Sequence, residues 1–225
     1  MKINEWMSNF YGMPWLEIED ENDAIEDQKK CLLEWRVPVQ NISSFFSAQE
    51  KNFDLVESSI LFETKVKGLP VEFPEISLAT DDDLDEMLQI THKCMIRNEM
   101  VYTRFKNSRY FTIEQCDEYY QLSVKNNFFD KKTVSVVSRD NYGINGFYML
   151  KEVNGNVFKG VMTGVLPHAR GKRLHIKMQQ FSFAFIDRSI TVINSTQLNN
   201  FNVIKNHMKE GRNISKIEYI FYLKK

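Results

Sequence analysis

The segment Gly164-Val165-Leu166-Pro167-His168-Ala169-Arg170-Gly171-Lys172-Arg173-Leu174-His175 constrains this chain more than any other stretch. Upstream of it, residues 156–165 alternate as a β-strand, and Pro167, which lacks an N–H for the ladder, stops the pairing. Downstream, Leu174, Met178, Phe181 and Phe185 share one stripe of an amphipathic helix expected from about 171 to 188. Strand, basic glycine-containing turn and helix thus follow in direct succession. Such a junction turns unpaired N–H groups and the positive helix end outward, and Arg170, Lys172 and Arg173 add charge to them. It suits an anion such as a pyrophosphate. A solvated basic turn that only caps the helix accounts for the same residues.

Other elements surround this junction. Ile76–Thr80 reads as a strand, and Asp81, Asp82 and Asp83 supply N-cap oxygens to a helix with Leu84, Met87, Leu88, Ile90 and Thr91 at helical spacing. Thr112 caps a second helix to about Val124. Residues 133–139 alternate as a strand, Gly143 and Gly146 bracket a turn into residues 147–150, and Asn154-Gly155 marks a hairpin. A strand at 190–194, a helix near 199–209 and a closing strand at 217–223 complete the order β-α-α-β-β-β-α-β-α-β. The class is mixed α/β. Residues 53–67 read as two short strands joined at Glu57-Ser58-Ser59. The breakers Gly68, Pro70 and Pro74 set a junction between a small N-terminal domain (1–70) and a larger one (71–225).

Composition removes several function classes. Lys and Arg number 29 against 30 Asp and Glu, a net charge of −1, so no basic excess serves a nucleic-acid backbone. Cys31, Cys94 and Cys116 show no CxxC spacing, so neither a disulfide framework nor a metal site is expected. The opening residues lack a signal peptide's apolar core, and no apolar run approaches the roughly 20 residues that cross a bilayer. A cytoplasmic protein without membrane contact is expected. Phenylalanine numbers 17 and tyrosine 9, which fits a Phe-rich core or shaped pockets.

The pattern V-x-P-x-x-R-G-K-x-L between a strand and a long helix resembles the coenzyme A-binding motif of the GCN5-related N-acetyltransferases (GNATs). The resemblance implies a mostly antiparallel sheet flanked by helices. It also implies acyl-CoA as co-substrate, held at Val165, Arg170, Gly171, Lys172, Arg173, Leu174 and His175, with no metal. In that family's Q/R-x-x-G-x-G/A signature Arg170 matches the first position, while Arg173 and His175 replace the later glycines. A second family element, N-x-x-A-x-x-x-Y-x-x-x-G, matches at Asn200 and Gly211, with Val203 and His207 departing. By this resemblance Asn200 joins the cofactor site. His207 stands where relatives place the tyrosine that protonates the CoA thiolate; the ring either takes that role or only packs.

The N-terminus narrows the resemblance. Trp6-Met7-Ser8-Asn9-Phe10-Tyr11-Gly12 is similar to the W-D-S-x-F-F-G opening of the TDP-fucosamine acetyltransferase branch, and residues 53–63 are similar to its closing strand pair. Residues 102–105 and 109–111 look like that branch's acceptor-facing stretch, and Thr196-Gln197 like its T-Q run. The branch implies a small N-terminal α+β domain and transfer of an acyl group (acetyl, or a larger one such as 3-hydroxybutanoyl) to the amine of a dTDP-linked 3- or 4-amino-dideoxyhexose. The resemblance also implies that the products serve surface polysaccharide. Tyr11, Tyr102, Arg104, Arg109, Tyr110 and Gln197 become the candidate acceptor contacts, since Arg suits phosphate oxygens. A buried connecting loop is the alternative for 102–111. A homodimer is common in the wider family. Another amine as acceptor, or a non-catalytic acyl-CoA-binding module, remains open.

Overall fold

The computed structural model describes every residue except 24, 26, 27, 98–101 and 187. The first part of the chain forms β1 (Lys2–Ile3), α1 (Glu5–Tyr11), β2 (Trp15–Ile18), β3 (Leu32–Pro38), α2 (Ile42–Glu50) and β4 (Asp54–Lys67). Then come β5 (Ile76–Leu78), α3 (Leu84–Thr91), α4 (Ile113–Phe128), β6 (Thr133–Asp140), β7 (Gly143–Asn154) and β8 (Val157–Val165). The chain closes with α5 (Leu174–Phe183), β9 (Ser189–Gln197), α6 (Phe201–Lys209) and β10 (Asn213–Lys224). From β5 onward this is the order expected from the sequence.

Short-range chemistry sets the element ends. Asn4 Oδ1 accepts from the Met7 N–H at 3.0 Å to start α1, and Gly12 (φ +75°) closes it. Thr112 and Gln115 form a reciprocal capping box at α4. Thr80 and Asp83 do the same for a 3₁₀ turn over Asp81–Asp83, so α3 starts only at Leu84. Gly155 turns the β7–β8 hairpin at φ +47°.

Two expectations change. Residues 54–67 are one strand, not two: Ser58 and Ser59 pair with β10, and Ser59 also with β9, so ladders on both sides override the weak strand preference of serine. A bulge at Val56 is the only break in the β4 side of that ladder among the described residues near this point. The helix expected over 171–188 is shorter. It begins after Arg173, whose left-handed backbone (φ +58°) cannot continue a helix, and ends at Phe183; residue 187 lies outside the described residues.

The ten strands of the described residues join one sheet in the order β1-β2-β3-β10-β4-β9-β8-β7-β6-β5. Among the described residues, only β2–β3 and β8–β9 pair in parallel. The expected boundary at residue 70 falls in the connection between β4 and β5, and β4 itself lies between β9 and β10. Alternate residues of the strands feed opposite cores. Val137, Phe147, Met149 and Tyr222 pack under α3 and α4, while Val136, Tyr148, Leu150 and Val192 pack under α5. Trp35, Val37 and Phe221 pack with Ala48 of α2.

The β8–β9 pair positions the site. It holds only from Val157↔Thr191 to Lys159↔Ile193, although β8 runs on to Val165 and β9 to Gln197. Beyond Lys159 the strands part. Val161 is a bulge on β8, opposite the Met149–Leu150 step of β7.

Candidate active site

Pro167–Ala169 form a 3₁₀ turn after β8; Arg170 is extended, and Gly171 (φ +82°) and Arg173 (φ +58°) are left-handed before α5 begins at Leu174. A left-handed arginine carries about 1–2 kcal/mol of backbone strain that glycine would not. Arg173 therefore holds a backbone conformation that favours glycine, and adds a cation. His175 already lies inside α5, where no special φ is needed. Lys172 completes the exposed turn, and Arg170 Nε donates to the Val165 carbonyl at 3.1 Å, tying turn to strand end. Asn200 precedes α6 and donates to Thr196 Oγ1 at 3.1 Å.

From Arg173 a groove of about 790 Å³ runs between α5 and α6, past Ile176, Gln179 and Phe183 on one side and Asn206 and Lys209 on the other. Arg212 lies at its floor, 5% exposed. Its Nε donates to Glu210 at 2.9 Å, and its two terminal nitrogens donate to Asn194 Oδ1 and Gln179 Oε1. This bond fixes the Gln179 amide, so its Nε2 donates to His175 Nε2 at 2.9 Å. The acceptor nitrogen carries no proton, so His175 is neutral with its hydrogen on Nδ1.

His207 is 2% exposed, 4.8 Å from the Phe62 ring and 6.0 Å from the His175 ring, with a buried Nδ1 that has no hydrogen-bond partner. Burial, then Arg212 and His175, pushes its pKa down to about 3; burial and then Arg212 push His175 to about 4. Both rings are neutral at pH 7. What His207 offers this site is a neutral imidazole, not an imidazolium.

The candidate acceptor residues fall into two groups around Tyr222. Tyr11 Oη donates to the Tyr110 carbonyl at 2.6 Å, Tyr110 Oη contacts the Asp54 carboxylate and the Tyr222 carbonyl, and the largely exposed Arg109 pairs with Asp54 at 2.6 Å. Burial, reinforced by Asp54, raises the Tyr110 pKa beyond its ordinary range. On the other side of Tyr222, Arg104 packs over the rings of Phe105 and Tyr222 and lies 3.8 Å from Glu34. Its backbone N–H donates to Glu57 Oε2 at 3.0 Å. Burial opposes ionisation of Glu34, yet Arg104 and Arg36 hold its carboxyl below the usual range. Tyr102 is exposed at the edge of this group, and Gln197 ends β9 opposite Ser59.

Sequence reasoning placed the turn but missed Glu34, Arg36, Glu57, Lys159, Gln179, Asn194 and Arg212. Arg212 shows why: its partners Asn194 and Gln179 are 18 and 33 residues away, and no local pattern announces them.

Neither a protein-family model nor a curated protein matches the sequence. Solved structures do. One is a conserved protein of unknown function from Staphylococcus epidermidis, at a TM-score of 0.61 and 12% identity over 86% of this chain and 72% of that one. A GCN5-related N-acetyltransferase from Sphaerobacter thermophilus follows at 0.55 and 12%, over 86% and 60%. A GNAT-family acetyltransferase from Colwellia psychrerythraea gives 0.54 and 14%, over 85% and 65%. The fold is that of the GNAT acetyltransferases. The chain spans 60–72% of the length of these three structures. The 165–175 turn and the groove between α5 and α6 share Arg173.

Proposed function

We propose that this chain is an N-acyltransferase moving an acyl group, acetyl or a larger one such as 3-hydroxybutanoyl, from acyl-CoA to the amine of a dTDP-linked 3- or 4-amino-dideoxyhexose. The observation that carries the reading is the parting of β8 from β9 beyond Lys159, directly beside a cationic turn at a helix N-terminus. A CoA pyrophosphate fits that turn: Gly171 has no atom within 4 Å of where a Cβ would stand, and Arg170, Lys172 and Arg173 surround it. The pantetheine arm would add alongside residues 161–165 as a strand does, bringing the thioester to the opening.

There the neutral amine attacks the thioester carbon. A C–N bond forms as the C–S bond breaks, the ammonium proton passes to solvent, and the thiolate leaves. A main-chain N–H near Val165 would meet the charge developing on the carbonyl oxygen; preorganised donors of this kind contribute roughly 3–4 kcal/mol each. Holding both substrates in line supplies much of the rest. The buried, neutral ring of His207 argues that water protonates the thiolate and that His207 lines the groove. Support for the sugar nucleotide comes from the N-terminal and 102–111 motifs and from the cations on the acceptor side.

The test is thiol release from acetyl-CoA and longer acyl-CoAs in the presence of dTDP-3-amino and dTDP-4-amino sugars, beside thermal shifts with CoA. Stabilisation by CoA with no turnover of any dTDP-amino sugar would overturn the acceptor. No stabilisation by CoA would overturn acyl transfer itself.

A further inference from the structure

The β8–β9 ladder ends at Lys159↔Ile193, so the first rung lost is the one that Gly160 and Asn194 would make. Residues directly opposed in a ladder share a face, and so do residues two apart in a strand. Gly160 lies opposite Leu150 of β7, and Asn194 follows Val192 by two residues; Leu150 and Val192 both pack under α5. Gly160 and Asn194 therefore look toward α5. A Cβ on Gly160 would stand 2.1 Å from Asn194 Nδ2 and 2.7 Å from Tyr148 Oη. The carboxamide thus leans from β9 onto β8 and fills the space that a side chain at 160 would take. Only glycine leaves it that seat. The bulge at Val161 follows one residue later, on the β7 side of the strand.

Asn194 is buried, and Arg212 holds its amide in place. The Arg212 main-chain N–H donates to the His207 carbonyl at 3.1 Å, which anchors the residue to the end of α6. One terminal nitrogen of its guanidinium donates to Asn194 Oδ1, the other to Gln179 Oε1 of α5, and Nε to Glu210 at 2.9 Å. With its oxygen taken by the guanidinium, the Asn194 amide has its nitrogen on the Gly160 side. A charge-assisted bond in a buried site fixes that orientation. A strut therefore runs from α5 and α6, through Arg212 and Asn194, to the main chain of β8.

We propose that Asn194 is a positioning residue: tied to Arg212 and seated on Gly160, it props β9 away from β8 beyond Lys159 and sets how far the acyl-thioester arm enters between the strands. The prop stands on this geometry alone, and its consequence for the arm rests on the acyl-transfer reading. A pair that zipped up past residue 160 would use the strand edge that the arm needs, because N–H and C=O groups bound in a ladder are no longer free for a ligand's amides. Tyr148 Oη, buried without a hydrogen-bond partner, lies at the same seat, so the closed end of the gap is polar.

Amide hydrogen exchange, followed by NMR without ligand, reports whether the strands are parted, and calorimetric titration with CoA reports the arm. Asn194→Ala removes the prop and leaves the Val161 bulge in place. It should slow exchange about tenfold or more at the N–H groups of residues 160–163 and 194–196 that face the gap, and weaken CoA about tenfold or more. A residue that merely stabilised the fold would speed exchange when removed. Asn194→Asp keeps the shape and the bond to Arg212, and should return both readouts toward wild type. Gly160→Ala, which carries the test if Asn194→Ala does not fold, drives the amide from its seat and should weaken CoA to a similar degree. Unchanged exchange in a folded Asn194→Ala overturns the proposal, since the bulge alone would then part the strands. Full CoA affinity in either folded variant overturns it too. Slowed exchange in Asn194→Ala, with a wild type that does not bind CoA, leaves the prop standing and overturns acyl transfer.

Discussion

The pair of neutral histidines makes stability depend on pH in a calculable way. An unfolded histidine titrates near 6.5, whereas folding lowers His207 to about 3 and His175 to about 4. Between those values the unfolded chain binds protons that the folded chain refuses, so acid favours unfolding. The stabilisation is fully present above pH 6.5 and is lost progressively as pH falls toward the folded values. From pH 7 to pH 5 the loss is roughly 2 kcal/mol for each ring. The window stops above the range where the lowered carboxyls of Glu34 and Glu75 take up protons. His207→Phe keeps a ring against Phe62 and removes one of the two protons. Urea unfolding followed by circular dichroism at pH 7, 6 and 5 should show the wild type losing about 2 kcal/mol more than His207→Phe over that range. Equal losses would mean that His207 is not held neutral, and the assignment of a lining role would fall with it. The same variant, assayed for turnover, should lose less than about tenfold in kcat; a loss of 10²–10⁴ would restore the ring as general acid.

Arg170→Glu should raise the KM for acyl-CoA strongly in a folded protein, because it sets like charge beside the phosphates; unchanged CoA affinity would displace the cofactor from this turn. Arg173→Gly should leave the fold as stable or up to about 1 kcal/mol more stable by relieving the left-handed backbone, while weakening CoA; a clear drop in Tm would show that the Arg173 side chain holds the turn. Arg212→Met strands Glu210, Gln179 and Asn194 and should cost roughly 3–5 kcal/mol in urea unfolding; a change under 1 kcal/mol would mean that water replaces the guanidinium. Arg109→Ala, by contrast, removes an exposed partner of Asp54 and should cost less than about 1 kcal/mol.

What the sequence made legible was whatever neighbouring residues decide among themselves. The Asn154-Gly155 hairpin, the Thr112 cap, the strand–turn–helix at 164–175 and the order of elements from β5 onward all rest on contacts a few residues apart. The single β4 strand was not legible, because Ser58 and Ser59 are made strand by β10 and β9, more than 100 residues later. The elements of residues 1–52 escaped for a related reason: β2 and β3 are short, and each owes its place to ladder partners and to the packing of Trp15 and Trp35. At the site, the turn was read from charge and glycine. The Arg212 floor was not, since it is assembled from strands and helices that only the sheet brings together.

The position of β4 between β9 and β10 has a consequence for how the molecule is made. On a ribosome the chain emerges in order, and β4 is synthesised long before either strand that will flank it. Its partners span residues 189–197 and 213–222, so its backbone groups must wait for almost the whole protein to appear. β3 waits likewise, since its antiparallel neighbour is β10. The middle of the chain, β5 to β8 with α3 and α4, pairs within itself except where the start of β8 meets β9, and can assemble first. The early strands then have to be captured by the last ones in a late, long-range closure, the slowest kind of step in forming a sheet. Until it happens, Val56, Ile60 and Phe62 present an apolar strand with two open edges, the kind of surface that chaperones hold.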